Sequence, residues 1–308
     1  MIVALTGGTG GAKLIEGLAA EIDPAELTII CNTGDDEIFQ GLHVSPDIDT
    51  ITYTLGGLID TAKGWGIKDD TFNALQQLHG LGADTWFKLG DRDLATHITR
   101  TRFLNEGLTL SDATDRIRRA LGVKSIILPM SDERVETRVE TQQGQISFQE
   151  FFVRERWSPE VTAIRFDGVE SSHPGPGVLE AIHHAEAIIV CPSNPITSIG
   201  PIVAVPGIRS AFTETAAAVV GVRPLIGSTA ISGPAHKLMK ASGWKASALG
   251  VAQCYSDFLD TFLIAEEDKD LVEAIAAANI ETACTNIRMT TLADKRRLAR
   301  EVLALVEK

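Results

Sequence analysis

A run of glycines set between two apolar segments limits what this chain can fold into more than any other feature. Residues 2–5 (IVAL) form a short apolar stretch that Gly7-Gly8-Thr9-Gly10-Gly11 cannot continue, and Leu14, Leu18 and Ala19 then recur at helical spacing. Residues 27–31 (LTIIC) are a second apolar stretch, ending at Asn32-Thr33-Gly34-Asp35-Asp36. Strand, helix and strand within about 30 residues predict a right-handed parallel crossover. The alternation returns later: helix 175–185, strand 187–191, helix 206–217, strand 219–226, helix 233–243, strand 260–264, helix 267–278, strand 280–283 and helix 290–307. The expected fold class is therefore α/β, a Rossmann-like and mostly parallel sheet with helices on both faces.

Between these stretches, Ser45-Pro46-Asp47 carries helix-start chemistry and predicts a helix over 46–58. Segments 70–80, 92–105 and 111–121 are amphipathic, and 125–128 is strand-like. Residues 134–141 and 145–148 flank Gln142-Gln143-Gly144 as a β-hairpin would, and 161–166 is another strand. No linker, repeat or low-complexity stretch divides the chain, so 1–308 reads as one domain. Segment 60–165 reads as an insertion within it, mostly helical plus a hairpin.

Composition narrows the partners. With 28 basic against 41 acidic residues the net charge is −13, which repels a nucleic-acid backbone but leaves a small phosphorylated ligand open. No apolar run approaches membrane-spanning length, and the first residues carry no basic leader, so a cytoplasmic protein is expected. Cys31, Cys191, Cys254 and Cys284 are too widely spaced for a zinc site or a disulfide framework, and read as free, buried thiols.

Chemistry is expected in the loops that follow strands. Gly8, Thr9, Gly10, Gly11 and Lys13 suit a phosphate, because glycine lets backbone N–H groups approach an anion at a helix start. A purely structural turn is the other reading. The stretch is not a Walker A loop, since Ala12 separates Gly11 from Lys13 and Leu14 replaces the hydroxyl residue. It is also an imperfect dinucleotide fingerprint: Lys13 stands where a third glycine belongs, and the second strand ends at Cys31-Asn32 without a ribose-binding acid. That disfavours a nicotinamide-dependent oxidoreductase. Asp35, Asp36, Asp47 and Asp49 follow soon after, and carboxylates beside phosphates suggest Mg²⁺. Taken singly, each is equally a solvated loop residue or, for Asp47, a helix-dipole partner. Ser193, Asn194 and Ser198 follow a buried strand between prolines and offer ligand contacts. Trp86-Phe87-Lys88 reads either as an aromatic anchor or as a seat for a flat ring, with Trp65, His97 and Arg100 as weaker candidates for the same surface. Lys237, after a Gly-Pro helix start, is a further candidate for a phosphate.

These motifs occur in a telling order: GGTGGAK (7–13), NTGDD (32–36), SPDIDT (45–50), WFKLGDRD (86–93), PSNP (192–195) with SIGP (198–201), and SGPAHK (232–237). Together they resemble the CofD family, called FbiA in actinobacteria, over nearly the whole chain. The resemblance implies a 2-phospholactate transferase of coenzyme F-420 biosynthesis. The donor would be a guanosine-diphosphate-linked phospho-acid, 2-phospholactyl or enolpyruvyl, and the acceptor the deazaflavin Fo. A ribityl hydroxyl of Fo attacks the phosphorus bearing the acid and GMP leaves. The resemblance further implies Mg²⁺ and a homodimer. It assigns Asp49 and Lys88 to the acceptor, and the glycine loop, Asn32, Asp35, Asp36 and Ser193-Asn194 to the donor. Asp257 and Asp260 would be metal ligands beside Asp49, and Asp49 or Asp47 would take the hydroxyl proton. The alternative is a non-catalytic, sugar-nucleotide-binding regulator of the YvcK-like type.

Overall fold

The computed structural model describes residues 1–224 and 234–306. Its strands are β1 (Ile2–Thr6), β2 (Leu27–Cys31), β3 (Glu37–Phe39), β4 (Leu42–Val44), β5 (Ile126–Pro129), β6 (Glu136–Thr141), β7 (Gly144–Ser147), β8 (Val161–Asp167), β9 (Ala187–Val190), β10 (Ala218–Val222), β11 (Thr261–Ala265) and β12 (Glu281–Thr285). Seven of them make one sheet in the order β12-β11-β10-β9-β1-β2-β5, with every neighbouring pair parallel. The expected α/β class with a parallel sheet is what the structure has.

Both faces of this sheet are covered, which is why β1, β2 and β9 read as unbroken apolar runs. Val3 and Leu5 enter one core with Ile202, Phe212 and Phe262. Ala4, between them, enters the other with Leu14, Leu18 and Leu298, because successive strand residues point to opposite faces. Each fully buried Leu or Ile in these cores contributes about 1.5–3 kcal/mol of transfer free energy.

The early helices are α1 (Gly8–Ala19), α2 (Pro46–Leu55), α3 (Asn73–Gly80), α4 (Asp91–Asn105) and α5 (Leu110–Ala120). Later come α6 (Val178–His183), α7 (Ile199–Ala204), α8 (Ile208–Glu214), α9 (Pro234–Ala241), α10 (Ala248–Cys254), α11 (Val272–Ala276) and α12 (Leu292–Val306). Where helix ends differ from expectation, local chemistry explains it. The helix expected over 46–58 stops at Leu55, before Gly56 and Gly57, and Gly57 has φ +67°. The one expected over 206–217 begins only at Ile208, because Gly207 takes φ +92°. The hairpin β3/β4 was not anticipated. It turns on Gln40 and Gly41 at φ +53° and +76°, and its strands of three residues are too short to show periodicity.

The expected boundary of the insertion also shifts. Within 60–165, β5 pairs with β2 and belongs to the main sheet. The hairpin β6/β7 gains β8 as a third strand, and a π turn at Glu150–Arg154 follows it. The last residues of the strand expected at 219–226, the first of the helix expected at 233–243, and Ser232-Gly233 of the last motif fall outside the described residues. Cys31 and Cys191 are buried free thiols as expected, whereas Cys284 is exposed, because the edge strand β12 leaves it uncovered.

Topology decides where a ligand can sit. From β1 the chain builds outward through β2 to β5, then resumes on the other side of β1 with β9. The loops after β1 and β9 therefore leave the sheet in opposite directions, and a crevice opens between them at the strands' C-terminal edge.

Candidate active site

That crevice is a cavity of about 890 Å³, within the range of small-molecule sites. Gly8, Thr9, Gly10 and Lys13 line it from the first loop, and Ser193, Asn194 and Ser198 from the loop after β9. Asp35, Asp47 and Asp49 line it from below, and Trp86, Phe87 and Lys88 from the insertion. The sequence readings thus converge on one space.

The two loops are locked together at van der Waals distance. A Cβ on Gly10 would strike the carbonyl oxygen of Pro192, and one on Gly11 would strike Thr6 Oγ1 and Ser193 Oγ. Gly7 N–H donates to Ser193 Oγ at 3.3 Å. Only glycine permits this approach, so the loop is both structural and open to an anion. Gly11 supports the wall without lining the cavity.

Asn32 likewise works one layer back. Its Nδ2 donates to Asp47 Oδ2 (2.9 Å) and to the Thr197 carbonyl (3.2 Å), while its Oδ1 accepts from Gly34 N–H (2.8 Å). One amide thereby ties together the loops after β2 and β9 and the start of α2. Asp36 is also set back: its Oδ2 accepts from Ser45 Oγ at 2.6 Å and faces His43 Nε2 at 2.9 Å. Burial raises its carboxyl above the usual range.

Asp47 and Asp35 do face the cavity. Asp47 Oδ1 accepts from Gly8 N–H at 2.6 Å, so a carboxylate already occupies one donor of the glycine loop. Burial pushes Asp47 up to about 6, against its hydrogen bonds to Asn32 and Gly8. Burial and the Asp47 charge push Asp35 well up, and its Oδ1 has no partner. A folded-state value of about 6 means that the fold holds a proton on Asp47 that the unfolded chain releases near 4. That contribution to stability is present below about pH 4 and is lost as pH rises through about 6. Asp47→Asn removes the titration. In metal-free buffer, its melting temperature is expected to gain several degrees on wild type between pH 5 and pH 7.5. Parallel melting curves across that range would show that Asp47 is not the source.

Asp49 sits in a buried polar network between two helices. On α2, Asp49 and Tyr53 are one turn apart; on α4, Asp93, His97 and Arg100 share one face. Arg100, 0% exposed, reaches both Asp49 oxygens, Oδ2 at 3.1 Å and Oδ1 more closely. His97 stands between Asp49 (3.6 Å) and Asp93 (3.2 Å), and Tyr53 OH donates to Asp93 at 2.7 Å. Arg100 is thus a buried support outside the cavity lining, whereas His97, though buried, lines the cavity together with Trp65. Asp49 lines the cavity as well.

The aromatic wall is anchored from behind and still faces the cavity. Phe39 stacks on Phe87 (4.2 Å, 10°) and meets Trp86 edge-on (5.0 Å, 79°), which anchors the pair. Trp86 and Phe87 still line the cavity. Phe152 of the π turn lines the cavity too, with Phe148 and Gln149 just before the turn, and Phe148 stacks on Phe152 at 5.5 Å. Sequence reasoning missed this second aromatic group. The run FQEFF (148–152) was its only trace, since a π turn has no periodicity of its own.

Three expected residues are elsewhere. Asp260 ends the loop before β11, its carboxylate accepting from Val219 N–H at 2.8 Å, and Arg209 holds both oxygens of Asp257 at 2.7 and 2.6 Å. Both lie at the N-terminal edge of the strands, opposite the cavity, and neither can serve a metal there. Lys237 donates to the carbonyls of Ser158 (2.9 Å) and Pro159 (3.2 Å) and does not line the cavity. Among the described residues no group of three or more His, Cys, Asp or Glu side chains is arranged to hold a metal by itself. No helix among them is long and apolar enough to cross a membrane.

Against known proteins, the family described as 2-phospho-L-lactate transferase CofD matches residues 2–304. The chain is 40% identical over 302 residues to a 2-phospho-L-lactate transferase of Methanosarcina mazei, covering 98% of this chain and 99% of that one. It is 44% identical over 314 residues to a phosphoenolpyruvate transferase of Streptomyces griseus, covering 99% and 98%. Among solved structures, a UPF0052 family protein of Bacillus halodurans shares the fold with a TM-score of 0.67, 16% identity and 98% coverage of both chains.

Proposed function

The chain belongs to the CofD family of 2-phospho-L-lactate transferases, and from that premise we propose that it transfers a phospho-acid group from a guanosine-diphosphate-linked donor to the deazaflavin Fo, releasing GMP. One observation supports this above the others: a single cavity joins a glycine loop, four carboxylates and two aromatic groups. A diphosphate and a flat tricycle are both accommodated by such a lining. The two relatives named above carry different acids, lactyl and enolpyruvyl, and either fits the same chemistry.

In this reading the donor diphosphate lies against the N–H groups of Thr9 and Gly10, with Lys13 as a point charge and Ser193, Asn194 and Ser198 as polar contacts. The tricycle enters between Trp86-Phe87 and Phe148-Phe152, with Lys88 beside it. Attack at phosphorus asks chiefly for in-line positioning and neutralisation of developing charge. Asp49, held by Arg100, orients the ribityl hydroxyl. Asp47, which has no cationic partner among its hydrogen bonds, accepts the hydroxyl proton.

The unpartnered Oδ1 of Asp35 and the excess of carboxylates fit a divalent cation. Asp35 and Asp49 would hold Mg²⁺ together with donor phosphates, which is the usual sharing for this ion. Bound there, it would neutralise charge on the non-bridging oxygens. A cytoplasmic homodimer completes the proposal.

Incubation of the purified protein with Mg²⁺, Fo and a lactyl or enolpyruvyl donor is expected to release one GMP per acceptor consumed. Absence of GMP with every donor would overturn the reading. Lys88→Ala is expected to raise KM for Fo about tenfold or more while leaving KM for the donor within about twofold. The reverse pattern would exchange the two ligands' places.

A further inference from the structure

Arg156 stands at the edge of the cavity on a backbone that few side chains adopt. Arg156 and Trp157 both have φ +50°; the other non-glycine residues with positive φ among those described, Gln40, Asp69 and Asn279, occur singly. Such strain persists only where neighbours enforce it, and it gathers at ligand sites. Here it is enforced from two sides. The N–H groups of Glu155 and Trp157 donate back to the carbonyls of Glu150 (2.8 Å) and Phe151 (2.7 Å), closing the π turn. From α9, Lys237 Nζ grips the carbonyls of Ser158 and Pro159 and pairs with Glu160 at 3.2 Å.

The result is one arginine held out for the cavity. Arg154, two residues earlier, is surrounded by Asp84, Glu150 and Glu155. Arg223, which also lines the cavity, is paired with Asp268 at 2.7 Å. Arg156 belongs to none of the ion pairs among the described residues, whose clamps end at Arg154 and Glu160.

The donor has one anionic group still without a counterpart. Its diphosphate is served by the glycine loop and Lys13, and Lys88 attends the acceptor, but the acid being transferred carries a carboxylate. A guanidinium fork matches a carboxylate with two parallel hydrogen bonds, which an ammonium cannot do. We propose that Arg156 binds the carboxylate of the donor's phospho-acid and so selects donors whose linked group is an acid. This rests on the function proposed above.

The test compares wild type with Arg156→Gln, Arg156→Lys and Arg156→Gly. The probes are lactyl-diphosphoguanosine, its carboxylate-free ethyl analogue, and GDP. Arg156→Gln is expected to raise KM for the lactyl donor about 10–100-fold, leave the GDP dissociation constant and KM for Fo within about twofold, and abolish the preference for the acid over the ethyl analogue. Arg156→Lys recovers part of that preference. Arg156→Gly loses it equally but melts no lower than wild type, because glycine adopts this backbone freely. An unchanged KM for the lactyl donor, an equal loss for the ethyl analogue, or a matching loss of GDP affinity would each overturn the assignment. Should wild type release no GMP at all, the proposed function fails; calorimetric binding of the lactyl donor to wild type and Arg156→Gln still decides the role of Arg156.

Discussion

Arg100→Met is expected to lower stability by about 3–5 kcal/mol, the cost of leaving one partner of a buried ion pair alone. Arg100 is 0% exposed and reaches both oxygens of Asp49. Burial alone would weaken its hold on a proton, and the adjoining Asp49 charge more than reverses that. With the guanidinium gone, Asp49 faces only His97 at 3.6 Å and shares its surroundings with the further carboxylate of Asp93. Thermal melting should fall by roughly 5–15 °C for a chain of this length. Turnover should fall at least 100-fold at a temperature where the variant is still folded, because the Asp49 carboxylate loses its fixed orientation. The same pairing limits the obvious test of Asp49. Asp49→Ala strands Arg100 in the interior, so lost activity and lost fold are mixed. Arg100→Met combined with Asp49→Leu removes both charges; it is expected to recover most of the stability and none of the turnover. If Arg100→Met alone melts within about 1 °C of wild type, the pair is not the buried support described here.

Gly10→Ala is the second large effect. The added methyl would be driven into the Pro192 carbonyl oxygen, so the loops after β1 and β9 must separate. A displacement near 1 Å at a group-transfer site can cost about 100-fold. KM for the donor is expected to rise by that order, with Fo binding unchanged, because the aromatic slot lies on the other wall. Gly80→Ala is the matched control: it lies in α3 with nothing within 4 Å of the new methyl, and should be neutral or slightly stabilising. A Gly10→Ala enzyme with normal donor kinetics would mean that the diphosphate does not lie against this loop.

Much of the frame was readable from the chain. Strands buried on both faces are written as apolar runs, so β1, β2, β9 and β11 declared themselves, and Ser45-Pro46 announced α2. Loops that follow parallel strands must gather at one edge, which made the convergence of Gly10, Asp47 and Asn194 foreseeable once the strands were placed. The errors came where local pattern is silent. Asp257 and Asp260, which the family resemblance offered as metal ligands, lie before β11 and not after it, at the wrong edge of the sheet. Phe152 belongs to a π turn into which Phe148 leads, and β3/β4 is too short for a period to register.

What the amino-acid sequence determined alone is the α/β frame, the rim that carries chemistry, and the family. Periodicity, glycine sterics and motif order are properties of neighbours along the chain. Only the tertiary structure decided which carboxylates face the cavity, which are tied up by Arg100 or Arg209, and which arginine is left unpaired at its edge. Those outcomes depend on the burial and pairing of side chains far apart in the chain, such as Asp49 and Arg100, 51 residues apart. Desolvation and Coulomb attraction act through space, and the order of residues does not record them.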